Sequence, residues 1–276
     1  MATVVLVSDS HLSQRAPEAG ANWDAVVRYV TDCGPDLVVH LGDLSLDGPN
    51  DPTDFDHARA RLDELPAPWR AVPGNHDIGD NPWPGSPSDD GVDADGLQRW
   101  RSAIGADWWS AQLDGWTLVG LNAELFDSRL DAEVEQWAWL EDTLAAIPPS
   151  TPLLLLTHKP VAAAESELSA SPPDRFLPLT ARRRLGDLLT GRSVPMVISG
   201  HIHQYRELDL DGRHHVWAPT TWAVVPDSVQ PRIGLKRCGV LRLDLGPRGH
   251  SEVTFVEPPG MSQLTIGTDF PNPYEH

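Results

Sequence analysis

Five short clusters of Asp, Asn and His are the groups in this 276-residue chain whose types and spacing could do chemistry. Each cluster directly follows an apolar run that is typical of a buried strand. In chain order they are Asp9-Ser10-His11, Gly42-Asp43, Gly74-Asn75-His76-Asp77, His158 and Gly200-His201-Ile202-His203. Carboxylate and imidazole groups together suit zinc, iron, manganese and similar ions. The clusters therefore predict a metal site.

The spacing inside two clusters has a physical reason. Asp9 and His11 are two residues apart, so at an extended strand end both side chains would leave the same face and reach one ion. The same holds for His201 and His203, although a turn after Gly200 could instead aim them at two neighbouring ions.

The glycines of the clusters and the charges of their side chains also fit a metal site. Gly42 and Gly74 would let the backbone turn sharply and approach the ions closely. Asp9 and Asp43 supply two negative charges, whereas His and Asn ligands are neutral. Two divalent or trivalent ions would then leave a positive centre, which binds a phosphate and acidifies a bound water.

The elements that must position these clusters alternate between strand and helix, which predicts an α/β fold with parallel strands. In such sheets ligands bind at the carboxyl ends of the strands, where the clusters fall. Helices are expected at residues 22–29, from Asp51 onwards, at 131–147 and at 180–189. Strands are expected at 3–7, 36–41, 69–72, 116–121, 153–157, 194–199, 204–210, 213–218, 240–245 and 252–256. The first strand of the pair at 204–218 is joined to the second by a type I′ turn at Asp211-Gly212.

The organisation predicted along the chain is simple. Residues 1–257 form one domain, with a long irregular loop at 79–96 that is expected to be functional or mobile. Residues 258–276 are expected to form a C-terminal tail, which could pack on a partner subunit or simply trail.

Composition excludes several function classes. Acidic residues outnumber basic ones 40 to 21, giving a formal charge of −19. Such a surface disfavours nucleic-acid polymers and anionic membranes as partners. Only two cysteines occur, too few for a thiolate metal site, and no apolar stretch is long enough to span a bilayer. A cytoplasmic location is the simplest expectation.

The order Asp-x-His, Gly-Asp, Gly-Asn-His-Asp, His and Gly-His-x-His resembles the signature of the calcineurin-like metallophosphoesterase superfamily, from residue 4 to about residue 225. The closest pattern is that of the class III cyclic nucleotide phosphodiesterases. The resemblance implies a four-layer α/β/β/α sandwich with two mixed sheets. It also implies two metal ions as cofactors, which could be manganese, iron or zinc.

The resemblance further implies a role for each cluster residue. The first metal would be held by Asp9, His11 and His203, the second by Asn75, His158 and His201, with Asp43 bridging both. A hydroxide between the metals would attack phosphorus in line. His76 would lie uncoordinated beside the phosphoryl group, as general acid or as stabiliser of the leaving oxygen, and Asp77 would orient it. Asn75 and His76 would also contact the substrate.

Other candidates have competing interpretations. His40 could support the site, but a hydrogen-bonded core histidine is favoured. Asn122 could face the site or cap a helix. Trp83, in the long loop, and Trp222, after the hairpin, could each stack on a substrate ring, but core packing is favoured for both.

Departures from related subfamilies guide the choice of substrate. Leu46 stands where purple acid phosphatases carry a tyrosine ligand. The arginines that clamp a phosphate dianion in phosphoprotein phosphatases are absent, and Pro73 stands before Gly74. We therefore expect hydrolysis of a small phosphodiester, with a 3′,5′-cyclic nucleotide as the best single substrate. A phosphomonoesterase acting on a small metabolite and a non-catalytic scaffold are the alternatives, and a homo-oligomer is a possible assembly.

Overall fold

The computed structural model describes residues 1–83, 91–169 and 175–274. Within them the chain alternates strands and helices in its first part and ends in antiparallel strands. The strands are β1 (Ala2–Val7), β2 (Leu37–His40), β3 (Trp69–Ala71), β4 (Trp109–Leu113), β5 (Trp116–Leu121), β6 (Leu153–Thr157), β7 (Met196–Ser199), β8 (Arg206–Leu210), β9 (Arg213–Trp217), β10 (Val240–Leu245) and β11 (Ser251–Val256). The helices are α1 (Pro17–Cys33), α2 (Thr53–Leu62), α3 (Asn75–Ile78), α4 (Ala94–Ala103), α5 (Asp131–Ala145) and α6 (Leu179–Leu189).

These strands form two mixed sheets. The first has the order β11-β10-β1-β2-β3, in which β1, β2 and β3 are parallel and the last two strands of the chain are antiparallel. The second has the order β4-β5-β6-β7-β9-β8, with β5, β6, β7 and β9 parallel. Parallel strands of one sheet end at the same edge, so the loops that follow them are neighbours.

Successive side chains of a strand point to opposite faces of its sheet, so each sheet can pack on both sides and form layers. Val4 and Leu6 of β1 face the second sheet and pack in a core that includes Leu154 and Leu156. Val5, on the opposite face of β1, packs in a separate core with the apolar face of α1. On the far side, the second sheet packs against α5 and α6. The predicted four-layer α/β/β/α sandwich is therefore confirmed.

Some elements differ from the sequence-based expectations. Helix α1 begins at Pro17 instead of residue 22, and both β4 and α4 were not predicted. Asp93 caps α4 through a hydrogen bond to the backbone N–H of Gly96, so the expected loop at 79–96 ends earlier. Its residues 84–90 lie outside the described residues. The type I′ turn is confirmed, since Asp211 and Gly212 have φ angles of 51° and 69°.

The C-terminal segment (residues 258–274) does not trail from the domain. Thr265 forms a parallel bridge with Val224, Ile266 is buried, and the Phe270 ring lies 5.3 Å from the Trp222 ring. Of the two fates expected for this tail, simple trailing does not hold for residues 258–274. Their apolar residues are too widely spaced to show a helical or strand period, so the sequence did not reveal these contacts. Within the described parts of the chain, no helix is both long and apolar enough to cross a membrane.

Candidate dinuclear metal centre

The backbone of the clusters is held in a costly conformation. Asp9, His11, Asp43, His201 and His203 all have positive φ angles, between 44° and 69°. They make up half of the ten non-glycine residues with positive φ in the described chain. Each such residue costs about 1–2 kcal/mol, and strain of this kind concentrates at functional sites. The expected extended geometry of the Asp-x-His and His-x-His pairs is wrong, because left-handed turns aim these side chains.

The first group of donor atoms comes from Asp9, His11, Asp43 and His203, all buried. The Nε2 atoms of His11 and His203 lie 3.3 Å apart. His203 Nε2 is 3.4 Å from Asp9 Oδ1, and His11 Nε2 is 3.8 Å from Asp43 Oδ2. These four side chains can therefore surround one ion.

The second group contains Asp43, His158 and His201. His158 Nε2 lies 3.2 Å from Asp43 Oδ2, 3.1 Å from His201 Nδ1 and 3.2 Å from Asn75 Oδ1. Asp43 Oδ2 thus faces both groups. His201 and His203 fall in different groups, which is the outcome expected from a turn after Gly200.

The ring nitrogens of this site have the protonation pattern of metal ligands. His158 Nδ1 faces the carbonyl of Leu41 at 2.8 Å, and His203 Nδ1 faces that of Ala223 at 2.7 Å. A carbonyl only accepts, so each Nδ1 carries a proton, and in a metal-bound ring each Nε2 would present its lone pair to the ion. The Nε2 atoms are crowded against carboxylate and imidazole groups at distances that a cation between them would suit, so the donor set fits metal ions.

The charges around Asp43 set the electrostatics of the two groups. Burial would lower the pKa of His158, but the Asp43 carboxylate outweighs it and raises the pKa to about 10 in the metal-free site. Burial would raise the pKa of Asp43, but the imidazoles of His158 and His76 outweigh it and hold the pKa well below its usual value. Burial lowers the pKa of His11 and of His201 well below the usual range, with nearby imidazoles adding to the effect. These two imidazoles are therefore neutral, as metal coordination would require.

Gly42 and Gly74 make the close approach of the loops possible. Gly42 has a φ of 99°, and a Cβ there would come within 2.5 Å of His158 Nδ1. A Cβ on Gly74 would lie 2.3 Å from Asp43 Oδ1. Any side chain at either position would displace His158 or Asp43, so both glycines permit the close approach of these loops.

His76 lies beside the donor groups without joining them. Its backbone N–H donates to Asp43 Oδ1 at 2.9 Å, while its ring centroid is 4.9 Å from that of His11. The imidazole lines two cavities. The metal cavity, of about 450 Å³, also contains His11, Asp43, His201 and His203.

The other cavity that His76 lines, here called the outer cavity, has a volume of about 480 Å³. It is lined by Asn75 together with Leu46, Pro49, Arg15 and other residues of the neighbouring loops. His76 therefore stands where a ligand that spans both cavities would pass.

Asp77 does something other than what the resemblance implies. Its buried carboxylate accepts hydrogen bonds from the backbone N–H groups of Leu44, Ser45 and Gly74 and from the Ser45 hydroxyl, at 2.8–3.2 Å. All its hydrogen bonds among the described residues thus join the loops after β2 and β3. The expectation that it orients His76 is wrong, because adjacent residues of a helical turn point about 100° apart.

Three of the four remaining candidates, Trp222, His40 and Asn122, are structural. Trp222 is completely buried, with its ring 4.7 Å from that of His11, so it packs behind the site and cannot stack on a substrate. His40 is a hydrogen-bonded core histidine, as favoured, since it contacts the Ser10 hydroxyl at 2.8 Å. Asn122 caps a turn by accepting from the Glu124 N–H. Trp83 is half-buried beside residues 84–90, and its contact with a substrate stays a prediction.

Two residues near the centre were missed from the sequence. Lys159, directly after His158, is completely buried and lies 3.1 Å from Glu124 Oε2, with Asp80 as a further partner. Its place after His158 was a usable signal. Tyr274 contacts His11 from the C-terminal segment, and no motif marked it.

With this geometry established, comparisons with known proteins identify the family. The family model described as calcineurin-like phosphoesterase matches residues 2–205. The chain belongs to this family. Its members depend on two metal ions, and the two donor groups supply a place for them. The protein is therefore a metal-dependent phosphoesterase.

Two curated relatives have related names. The chain is 29% identical over 230 residues to the 3′,5′-cyclic adenosine monophosphate phosphodiesterase CpdA of Escherichia coli, which covers 79% of this chain and 75% of that protein. It is 28% identical over 194 residues to a probable cyclic nucleotide phosphodiesterase of Synechococcus, covering 65% of this chain and 62% of that protein.

Solved structures agree on the fold. A purple acid phosphatase from yellow lupin superposes with a TM-score of 0.65 at 15% identity, covering 95% of this chain. The chain spans about half (52%) of that protein's length. A dimetal phosphatase from Danio rerio superposes with a TM-score of 0.60 at 17% identity, covering 91% of this chain and 98% of that one. At these identities the likeness concerns the fold alone.

Proposed function

We propose that this phosphoesterase hydrolyses small phosphodiesters, with a 3′,5′-cyclic nucleotide as the best single substrate. One observation carries the proposal. Two groups of metal-type donors share Asp43 Oδ2, and the uncoordinated imidazole of His76 stands next to them, between two cavities.

The residues that would hold the ions follow from the distances. Asp9, His11 and His203 would hold the first ion, and Asn75, His158 and His201 the second, with Asp43 shared. When bound, two such ions supply positive charge for the phosphate and activate water as the nucleophile. The mixture of imidazole, carboxylate and amide donors suits manganese, iron or zinc.

The charge around the metal cavity favours a singly charged phosphate. Among the described residues that line it there is no lysine or arginine. The outer cavity is lined by two arginines. Arg15 is paired with Asp54 at 2.9 Å and with Asp51 at 3.4 Å, and Arg99 donates to the Pro49 carbonyl at 3.4 Å. A monoester dianion is usually clamped by such cations, whereas a diester carries one charge and needs less compensation.

The outer cavity has room for the rest of such a substrate. Its volume of about 480 Å³ falls within the range of ~300–1,000 Å³ that is usual for small-molecule sites. A cyclic phosphate at the donor groups could therefore direct its nucleoside past His76 into this space. The names of the Escherichia coli and Synechococcus relatives support the same substrate class.

His76 is the residue that would deliver a proton to the leaving oxygen. Its backbone is held by Asp43, while its ring is free of the two donor groups and reaches the junction of the cavities. An imidazole in that position can protonate an alkoxide as it leaves the phosphorus.

One assay separates the alternatives. The Mn²⁺-loaded protein is incubated with bis(p-nitrophenyl) phosphate, p-nitrophenyl phosphate and cyclic AMP, with Asp43→Ala as the inactive reference. Turnover of both diesters well above the monoester supports the proposal. Faster monoester turnover would instead establish a phosphomonoesterase, and no turnover with two metals bound would indicate a scaffold.

A further inference from the structure

His11 has a hydrogen-bond partner that comes from the far end of the chain. The hydroxyl oxygen of Tyr274 lies 2.8 Å from His11 Nδ1, across 263 positions of sequence. The opposite ring nitrogen, Nε2, is the atom that points towards His203 and Asp43. Tyr274 therefore contacts the side of the imidazole that faces away from the donor group.

Comparison with the other imidazoles shows why this contact matters. The Nδ1 atoms of His158 and His203 each face a backbone carbonyl, which fixes the ring and directs Nε2 inward. His11 is held at the same ring position by a side chain instead. A ligating histidine almost always donates its second N–H to a partner of this kind, because that partner fixes the tautomer and the ring orientation.

The ring of Tyr274 also shapes the substrate space. Its centroid lies 4.7 Å from that of His76, and these two residues are shared by the linings of the metal cavity and the outer cavity. The Tyr274 side chain is partly exposed, at 39%. It thus stands at the boundary between the two cavities.

The segment that carries Tyr274 is anchored to the domain. Ser262 and Asn22 exchange two hydrogen bonds, of 2.8 and 3.0 Å. Val224 and Ile266 are joined through the backbone at 3.0 Å. Phe270 then packs on Trp222, which itself lies against His11. The segment that leads to Tyr274 is therefore held by hydrogen bonds to the domain and by ring packing behind His11.

We propose that Tyr274 is a positioning residue of the metal centre, and that the C-terminal segment completes the active site. Its hydroxyl oxygen accepts the Nδ1–H of His11 and so holds Nε2 towards the ion of the first group. This inference rests on the proposed function, because it requires an ion at His11.

Tyr274→Phe removes the hydroxyl and keeps the ring. We expect one of the two Mn²⁺ sites to weaken by about 10–100-fold, which is the usual effect of losing such a partner, while the other site keeps its affinity. Calorimetric titration of the metal-free protein measures both. Excess Mn²⁺ should restore most of the activity. Tyr274→Ala should also raise KM, because it removes part of the cavity wall.

Tyr29→Phe is the matched control, since Tyr29 lies on α1 and interacts with Cys33 and Arg242, which lie outside both donor groups; it should leave both affinities unchanged. Equal affinities in Tyr274→Phe and wild type would overturn the role of Tyr274 and leave the metal centre standing. Weakening of both sites, together with a lower free energy of unfolding, would show a merely structural role and also overturn it. Failure of the wild type to bind two ions would refute the proposed function, and this inference with it.

Discussion

Asp77→Ala should reveal what this buried carboxylate does. The substitution leaves the backbone N–H groups of Leu44, Ser45 and Gly74 without their acceptor, and the Ser45 hydroxyl as well. A buried donor without a partner costs about 1–3 kcal/mol. Three backbone donors therefore lower the free energy of unfolding by about 3 kcal/mol or more, which corresponds to a fall in Tm of roughly 6 °C or more.

Urea unfolding of the metal-free protein, followed by circular dichroism, measures this loss. Asp56→Ala, an exposed position on α2, is the control and should change stability by less than about 0.5 kcal/mol. Metal affinity should fall as well in Asp77→Ala, because the joined loops carry Asp43 and Asn75. An Asp77→Ala protein with wild-type stability but reduced activity would refute this reasoning and restore a role at His76.

Three further perturbations have defined outcomes. Asp43→Ala should abolish the binding of both ions and all turnover, because one oxygen faces both donor groups; metal analysis showing either ion retained would contradict this. His76→Ala should keep both ions but slow the hydrolysis of cyclic AMP by about 10²–10⁴-fold, with a smaller loss on p-nitrophenyl esters, whose leaving group needs no proton; equal losses on the two substrates would rule out a general acid. Burial, aided by Arg213, lowers the pKa of His215 to about 4, so between about pH 6.5 and pH 4 the unfolded chain binds a proton that the folded chain does not. Stability should therefore fall on acidification, and His215→Leu should reduce the difference in unfolding free energy between pH 7 and pH 4.5 by about 2–3 kcal/mol; an unchanged difference would exclude this residue as the cause.

The parts of the fold that were predictable are those with a strong local signal. Residues of β1 and β6 are unbroken apolar runs, and such runs are typical of strands buried on both faces. The Asp211-Gly212 turn depends on two residues that tolerate positive φ. By contrast, β4 combines polar and apolar residues at the sheet edge, and α4 follows a region rich in glycine, proline and aspartate. In both places the local signal was too weak to predict an element.

In the candidate site, too, some features had a strong sequence signal and others did not. Motif order predicted which side chains meet, and the distances around Asp43 agree with that set. The directions of side chains were less predictable. Asp77 turns away from His76 because its position in a short helix directs it to the N–H of Gly74, and Trp222 packs behind His11. Tyr274 could not be found, since its contact with His11 depends on the path of a segment without periodic pattern.

The central claim is that two ions bind on either side of Asp43 Oδ2. Crystals of the Mn²⁺-loaded protein, measured at a wavelength where manganese scatters anomalously, test it directly. Two peaks about 3.5–4 Å apart are expected, one beside Asp9, His11 and His203 and the other beside His158 and His201. A single peak, or none at these side chains, would contradict the account.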